Sequence, residues 1–357
     1  MNRKVLIAMS GGVDSTVAAY LLQKEGYDCI GCTMKLYGNE DAGIERGHTC
    51  CSLSDVEDAR SAAFRLHIPY YVFNFTDSFR REVMDRFVGG CLAGGTPNPC
   101  IDCNRYMKFD RLYQRAGLLG CDYVATGHYA GIAEENGKYT LKRGADPAKD
   151  QSYVLYFLTQ EQLAHTLFPL GGLTKTEVRQ IAAENGFLNA GKPDSQDICF
   201  VPDGDYAAWI ERTTGRPFAD GRIVDGSGRE LGIHHGAVRY TVGQRKGLGV
   251  AAGKPLYVKS KNMAANTVTV GFEEALYRKE LTADDVNWIG GAPPCGQTLR
   301  CSVMTRYRGQ ERQAEVTAGE DGSIRVVFDE PQRAVTPGQA AVLYDGDTVL
   351  GGGTIRL

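Results

Sequence analysis

The sequence predicts an α/β domain with a parallel sheet in its first half and an all-β back third of one or two small barrels. Three observations carry this. Strand-like and helix-like segments alternate from Lys4 to about Asn185. A glycine turn, Ser10-Gly11-Gly12-Val13-Asp14-Ser15, joins the first strand to the first helix. Beyond about residue 205, glycine becomes frequent and the apolar segments turn short, β-branched and alternating. Strand–helix alternation implies a parallel sheet, because parallel neighbours need a crossover and the crossover is usually a helix.

The elements follow in order. Lys4–Met9 is a continuous apolar run, as a strand buried on both faces requires. Ser15–Glu25 gathers small and apolar residues on one helical face, and Cys29–Met34 is a second strand. Ser54-Asp55-Val56-Glu57 has the spacing of a capping box and opens a helix to about His67. Tyr70–Phe75 reads as a strand, Ser78–Leu92 as a helix, Asp110–Gly117 as a short helix and Tyr123–Thr126 as a strand. Gly131–Arg143 looks like a hairpin excursion, and Ser152–Asn185 like interrupted helix. Leu256–Lys259, Thr267–Val270, Arg325–Phe328 and Ala341–Tyr344 are the short strands of the back third.

Composition narrows the function classes. The net charge of −3 means that any nucleic-acid surface must be a local patch. Gly236 to Gly271 is such a stretch: it holds Arg239, Arg245, Lys246, Lys254, Lys259 and Lys261, and no Asp or Glu. Arg300, Arg306, Arg308 and Arg312 surround Tyr307 further on. Cations neutralise phosphates and tyrosine stacks on a splayed base; the competing reading is a solvated barrel face. The apolar run Val5–Met9 is too short for a signal-peptide core or a span, so a cytoplasmic protein with no membrane partner is expected. Eleven cysteines, an odd number, argue against a disulfide framework there, and most are expected to be small core residues.

The glycine turn is built for phosphate. Two glycines let the backbone approach closely, and the following helix offers open N–H groups and the positive end of its dipole. Ser10 and Ser15 add hydroxyl donors, and Asp14 either holds Mg2+ or orients the loop. The competing reading is a plain turn between strand and helix. The GxxxxGK[ST] phosphate loop is absent from the chain. The hexapeptide resembles the fingerprint of the ATP pyrophosphatases, which cleave ATP between its α and β phosphates and adenylate a substrate oxygen. Met34, ending the second strand, and Gly127-His128, following Tyr123–Thr126, stand where such a nucleotide binds in an open α/β sheet. A core methionine and a satisfied strand-end histidine are the bland alternatives.

Two cysteine blocks are distinctive. Thr96-Pro97-Asn98-Pro99-Cys100-Ile101-Asp102-Cys103-Asn104 reads as a loop stiffened by two prolines, with its thiols outside a helix. Asp194-Ser195-Gln196-Asp197-Ile198-Cys199-Phe200 is the other. A persulfide on one cysteine and an attacking thiol on another would transfer sulfur if the two segments converge, with Cys103 and Cys199 the natural pair. Gly47-His48-Thr49-Cys50-Cys51 reads as a loop with incidental thiols, since adjacent cysteines do not easily ligate one ion.

Together, Ser-Gly-Gly-Val-Asp-Ser, the Thr96–Asn104 block, Ala125-Thr126-Gly127-His128-Tyr129, Lys149-Asp150-Gln151-Ser152-Tyr153 and the Cys199 block resemble the bacterial tRNA-specific 2-thiouridylases, in order along nearly the whole chain. The resemblance implies a PP-loop, adenine nucleotide α-hydrolase-like domain over 1–205, a central tRNA-binding domain over 206–280 and a C-terminal β-barrel over 281–357. It implies ATP-dependent 2-thiolation of a wobble uridine. Cys103 would be the nucleophile and Cys199 the persulfide carrier. ATP would meet Ala8, Met9, Ser10, Gly11, Gly12, Val13, Asp14, Ser15, Met34 and Gly127, with Mg2+. The target base would lie against Asn98, Pro99 and Cys100. The rest of the anticodon stem-loop would meet His128, Lys149, Asp150, Gln151, Arg306, Tyr307 and Gln339. A persulfide-bearing protein, a cysteine desulfurase or a relay, would supply sulfur. This chain departs from well-known members at Cys100, where they carry an acid. Cys100, Cys103 and Cys199 as ligands of an iron–sulfur cluster are therefore a second route to the same product. Two readings of other classes remain: an amidating ligase, which leaves the cysteines idle, and a cysteine-rich RNA-binding module with metal on Cys100 and Cys103, which leaves the phosphate loop idle.

Overall fold

The computed structural model describes residues 3–38, 53–192 and 198–356. The Cys50-Cys51 segment and Asp194–Asp197 of the second cysteine block lie outside them.

The first half is a parallel sheet. Its strands are β1 (Lys4–Ala8), β2 (Asp28–Lys35), β3 (Tyr70–Asn74) and β4 (Tyr123–Ala125). A hairpin of β5 (Ala130–Glu135) and β6 (Lys138–Arg143) then leaves the sheet, and the two-residue β7 (Thr166–Leu167) returns to it. The order is β3-β2-β1-β4-β7, with every pair parallel. The order reverses between β1 and β4, so their carboxyl ends border the crevice where open α/β sheets take ligands. Val5, Leu6 and Ile7 of β1 are fully buried, which is why its sequence does not alternate.

Helices α1 (Val13–Lys24) and α2 (Leu53–Arg65) are crossovers of this sheet. Helix α3 runs through Thr76–Phe79, a π-helical Arg80–Met84 and Asp85–Leu92. Helix α4 runs through Pro99–Asp102, a π-helical Cys103–Arg111 and Leu112–Leu118. This corrects the expected stiff loop: Asn98 accepts the Cys100 N–H at 3.1 Å and Pro99 takes the first helical position, so the proline starts a helix. Ser152–Asn185 contains α5 (Gln160–Ala164) and α6 (Lys175–Glu184), each with a complete capping box. One more helix, α7 (Tyr206–Thr214), opens the region expected to be all-β; Asp205 caps it.

Behind it stand a small four-stranded sheet and a barrel. The small sheet is β8 (Gly221–Val224), β9 (Glu230–His234), β10 (Tyr257–Asn262) and β11 (Thr267–Gly271), in the order β10-β11-β8-β9. The barrel has β12 (Tyr277–Trp288), β13 (Thr298–Met304), β14 (Arg312–Ala318), β15 (Ile324–Arg333), β16 (Ala340–Asp345) and β17 (Thr348–Arg356). Pairing of β12 with both β15 and β17 closes it. The β5–β6 hairpin joins this barrel's sheet through β6 and β17, with Lys142 opposite Thr348 and Leu141 opposite Val349. Among the described residues no helix is long and apolar enough to cross a membrane.

Candidate active site

The crevice between β1 and β4 holds the glycine turn. Ala8 ends β1, and Met9 is tied to β2 through its N–H to Cys32 O (2.7 Å) and its carbonyl from the Thr33 hydroxyl (2.6 Å). Ser15 closes the turn, accepting the Ser10 N–H at 3.2 Å and donating its hydroxyl to Gly12 O at 3.1 Å. Gly12 caps α1 with no side-chain hydrogen bond, so the helix N-terminus faces the crevice uncovered by a side-chain cap. Val13 is buried beneath the turn. Gly11 has φ +76°, and a Cβ there would lie 2.4 Å from Asp55 O. A Cβ on Gly127 would lie 2.9 Å from the Asp14–Ser15 backbone. Both glycines are therefore fixed by backbone contact. Met34 is buried in the core at the end of β2.

Side chains distant in sequence hold the turn in place. Asp14 receives Lys175 Nζ on both carboxylate oxygens at 2.8 Å, and the Tyr129 hydroxyl on Oδ1 at 2.7 Å. Asn189 donates to Gly11 O (3.1 Å) and to Thr16 Oγ1 (2.8 Å). Lys192 bridges Asp55 (2.6 Å) and Asp58 (2.8 Å) behind Gly11. Tyr129 closes the Ala125–Tyr129 block of the sequence, whereas Lys175, Asn189 and Lys192 carry no motif of their own; their local signal is the capping box that begins α6 at Thr174.

The cysteines divide by burial. Cys29, Cys32, Cys91 and Cys301 are buried, and burial pushes the Cys29, Cys91 and Cys301 thiols up to about 12. Such thiols are core residues with little thiolate. Cys100 is exposed in the first turn of α4, one turn before the half-buried Cys103. Cys103 and the half-buried Cys199 pack on the same core cluster, formed by Phe79, Phe87, Met107 and Phe200 among others. Tyr37 anchors the second segment by donating to Cys199 O at 2.6 Å. Asp102, between the two cysteines of α4, lies 3.6 Å from Arg86, and burial raises its carboxyl to about 6 against that cation.

The residues do not fit a resident iron–sulfur cluster. Among the described residues no three His, Cys, Asp or Glu side chains gather to hold a metal ion. Cys100, Cys103 and Cys199 thus do not form a cluster-binding set in this geometry, and the Asp14 carboxylate is engaged by Lys175 and Tyr129.

The residues expected to meet RNA split into holders and presenters. His128 is buried between Phe109 and Phe168 with Nδ1 2.7 Å from the Thr126 hydroxyl. Burial, and then the Lys108 ammonium 3.4 Å from Nε2, keep its pKa well below the usual value. Asp150 is occupied in shaping its loop: it accepts from Gly144 N, Ser152 N and Ser152 Oγ and pairs with Arg143 at 3.2 Å. Gln151 clamps Tyr129, accepting its N–H at 3.0 Å. Lys149 is half-buried beside them. Arg306 is exposed, Tyr307 reaches Asp150 O at 3.5 Å, and Gln339 donates to Thr96 O. Thr96, Arg306, Tyr307 and Gln339 line one cleft of about 450 Å³ with Thr241–Gln244 of the central region, next to Asn98 and the buried Pro99.

The basic stretch is thinner than its sequence. Arg239 is paired with Glu211 (2.6 Å) and Asp205 (3.4 Å), Arg300 with Asp329 (2.5 Å), and Lys261 is largely buried, which lowers its ammonium to about 8. Arg245, Lys246, Lys254 and Lys259 remain exposed, and Arg245 and Lys254 border a glycine-rich hollow of about 420 Å³.

Comparison with known proteins adds the family. The tRNA methyl transferase HUP domain matches residues 3–203, the tRNA methyl transferase PRC-barrel domain 212–272 and the aminomethyltransferase beta-barrel domain 278–355. The tRNA-specific 2-thiouridylase MnmA of Clostridioides difficile (strain 630) is 50% identical, covering 100% of this chain and 99% of that protein. Its counterpart in Geotalea uraniireducens (strain Rf4) is 51% identical over 99% of this chain and 95% of the relative. That of Acetivibrio thermocellus is 50% identical over 99% of both.

Proposed function

The chain belongs to the tRNA-specific 2-thiouridylase family, and from that membership and the site's geometry we propose that it uses ATP to thiolate carbon 2 of the wobble uridine of tRNA. The observation that carries the reading is a phosphate-shaped turn at the sheet's switch point together with Cys103 and Cys199 on one core cluster of the same domain. Methyl transfer, the activity in two of the domain descriptions, would leave both features idle.

ATP lies with its phosphates along Ser10–Ser15, where open α1 N–H groups and the Ser10 hydroxyl are donors and Ser15 braces the turn. Mg2+ enters as the counter-ion of the triphosphate. The uridine, held by Asn98–Cys100, attacks the α-phosphorus through its O2; the bond to the β-phosphate oxygen breaks, pyrophosphate leaves, and the N3 proton passes to water. The terminal sulfur of a Cys199 persulfide then attacks C2, and AMP departs with the former O2. The Cys103 thiolate attacks Cys199 Sγ. The sulfur–sulfur bond breaks, its electron pair stays on the sulfur now bonded to C2, and a Cys103–Cys199 disulfide forms. An external thiol reduces it, and a persulfide-bearing protein reloads Cys199. Cys103 reaches this reaction from a helix rather than a mobile loop, which fixes its distance from the base.

The test is mass spectrometry of nucleosides from tRNA incubated with enzyme, Mg-ATP and a persulfide donor. 2-Thiouridine that depends on all three supports the reading. Pyrophosphate release that proceeds equally without tRNA would favour an amidating ligase instead.

A further inference from the structure

The lysine that opens α6 sits at the mouth of the phosphate turn with no part yet assigned. Lys175 is the first residue of α6, 161 positions from Asp14, and its side chain is 11% exposed. Three independent holds aim it. Its backbone N–H donates to Asp146 (3.0 Å), the Thr174–Glu177 capping box fixes the first turn of its helix, and its ammonium lies 5.8 Å from the centre of the Tyr129 ring. The ammonium bonds both oxygens of Asp14 at 2.8 Å, and Asp14 is in the first turn of α1, whose N-terminus has no side-chain cap. A long, flexible cation is thus delivered to the place where the turn receives anions. Tyr129 also donates to Asp14, so the carboxylate keeps one donor when the ammonium swings away.

We propose that Lys175 is the cation that takes up the pyrophosphate leaving group, exchanging Asp14 for the β- and γ-phosphate oxygens when ATP enters. The assignment rests on the adenylation reading above. As the α-phosphorus is attacked, the electron pair of the breaking bond moves onto the β-phosphate oxygen, and negative charge grows there. An ammonium in a partly buried crevice opposes that charge more strongly than water does. No proton transfer from Lys175 is required. Asp14 holds the lysine in place before the nucleotide arrives, which avoids reorganisation during the reaction.

The experiment uses the full chain, Mg-ATP and tRNA, and follows pyrophosphate release together with inhibition by added pyrophosphate and by AMP. Lys175→Met is expected to slow tRNA-dependent release by about a hundredfold. It should weaken pyrophosphate inhibition by about tenfold and leave AMP inhibition within about twofold. Lys175→Arg should recover most of the pyrophosphate affinity. Asp14→Asn/Lys175→Met replaces the ion pair by a neutral pair and tests the structural alternative: it should regain thermal stability but not pyrophosphate affinity. Pyrophosphate and AMP affinities falling together, or neither moving, would overturn the assignment. So would recovery of pyrophosphate affinity in the double variant. Wild-type enzyme that releases no pyrophosphate in the presence of tRNA would remove the functional reading and this assignment with it; normal wild-type turnover with an unchanged Lys175→Met removes the assignment alone.

Discussion

His128 shows how one buried side chain ties stability to pH. Burial and then Lys108 hold its native pKa well below 6.5, whereas the unfolded histidine titrates near the usual value. Between the two, the unfolded chain binds the extra proton, so stability falls as pH is lowered from about 7 toward about 5. His128→Gln is expected to flatten that dependence, read as the urea midpoint against pH. Gly127 is constrained more severely, because a Cβ would meet the Asp14–Ser15 backbone at 2.9 Å. Gly127→Ala should destabilise the protein by about 1–3 kcal/mol and abolish adenylation, measured by denaturation and by pyrophosphate release. For the cysteines, Cys103→Ser and Cys199→Ser should each abolish thiolation. Cys100→Ser should retain substantial activity, since Cys100 is exposed and forms no metal-holding group with the other two. Enzyme purified anaerobically and found free of iron is expected to turn over; a strict requirement for iron would return the cluster to the mechanism.

Among the elements, the start of α4 matters most. The Asn98 side chain caps a helix that begins at Pro99 and carries Cys100 and Cys103. Asn98→Ala should cost about 1 kcal/mol of stability and lower the thiolation rate more than the adenylation rate, compared by 2-thiouridine yield per pyrophosphate released. On the central sheet, Arg245→Ala/Lys246→Ala should weaken tRNA binding and reduce the log–log salt slope by about one unit for each phosphate no longer neutralised. An unchanged slope would show a solvated face. These two elements also mark what was legible in the sequence. The parallel sheet was legible because Val5–Ile7 and the other buried strands are continuous apolar runs between helical periods. The phosphate turn was legible because its glycines are local requirements. The helix at Pro99 was not: two prolines suggest a loop, although asparagine before proline is also a cap followed by a first-turn residue. The two residues of β7 are too few to show a period. Pairings such as Lys175 with Asp14, or Arg239 with Glu211, leave no local trace, because the partners are brought together only by the finished fold.

At the scale of the molecule, the barrel and the nucleotide domain are parts of one structure. Thr96 N–H donates to Pro337 O at 2.8 Å and Gln339 returns a bond to Thr96, so the cysteine helix starts from a point fixed on the barrel. Gln339→Ala should therefore lower tRNA-dependent thiolation several-fold with little change in ATP binding, measured by single-turnover kinetics and nucleotide titration. The β5–β6 hairpin reaches the other way and completes the barrel's sheet at β17. That pairing sets a timetable for the newborn chain. A hairpin has little stability alone, and Lys142 must wait for Thr348, 206 positions later, before β6 is paired with the barrel. At a ribosome's pace of about 5–20 residues per second the wait is roughly 10–40 seconds. Throughout it, the nucleotide domain carries an open strand edge of the kind that invites aggregation. The last strand to be synthesised is therefore the one that covers the β6 edge of the first domain, and a stop codon shortly before Thr348 should yield an aggregating product rather than a shorter working enzyme.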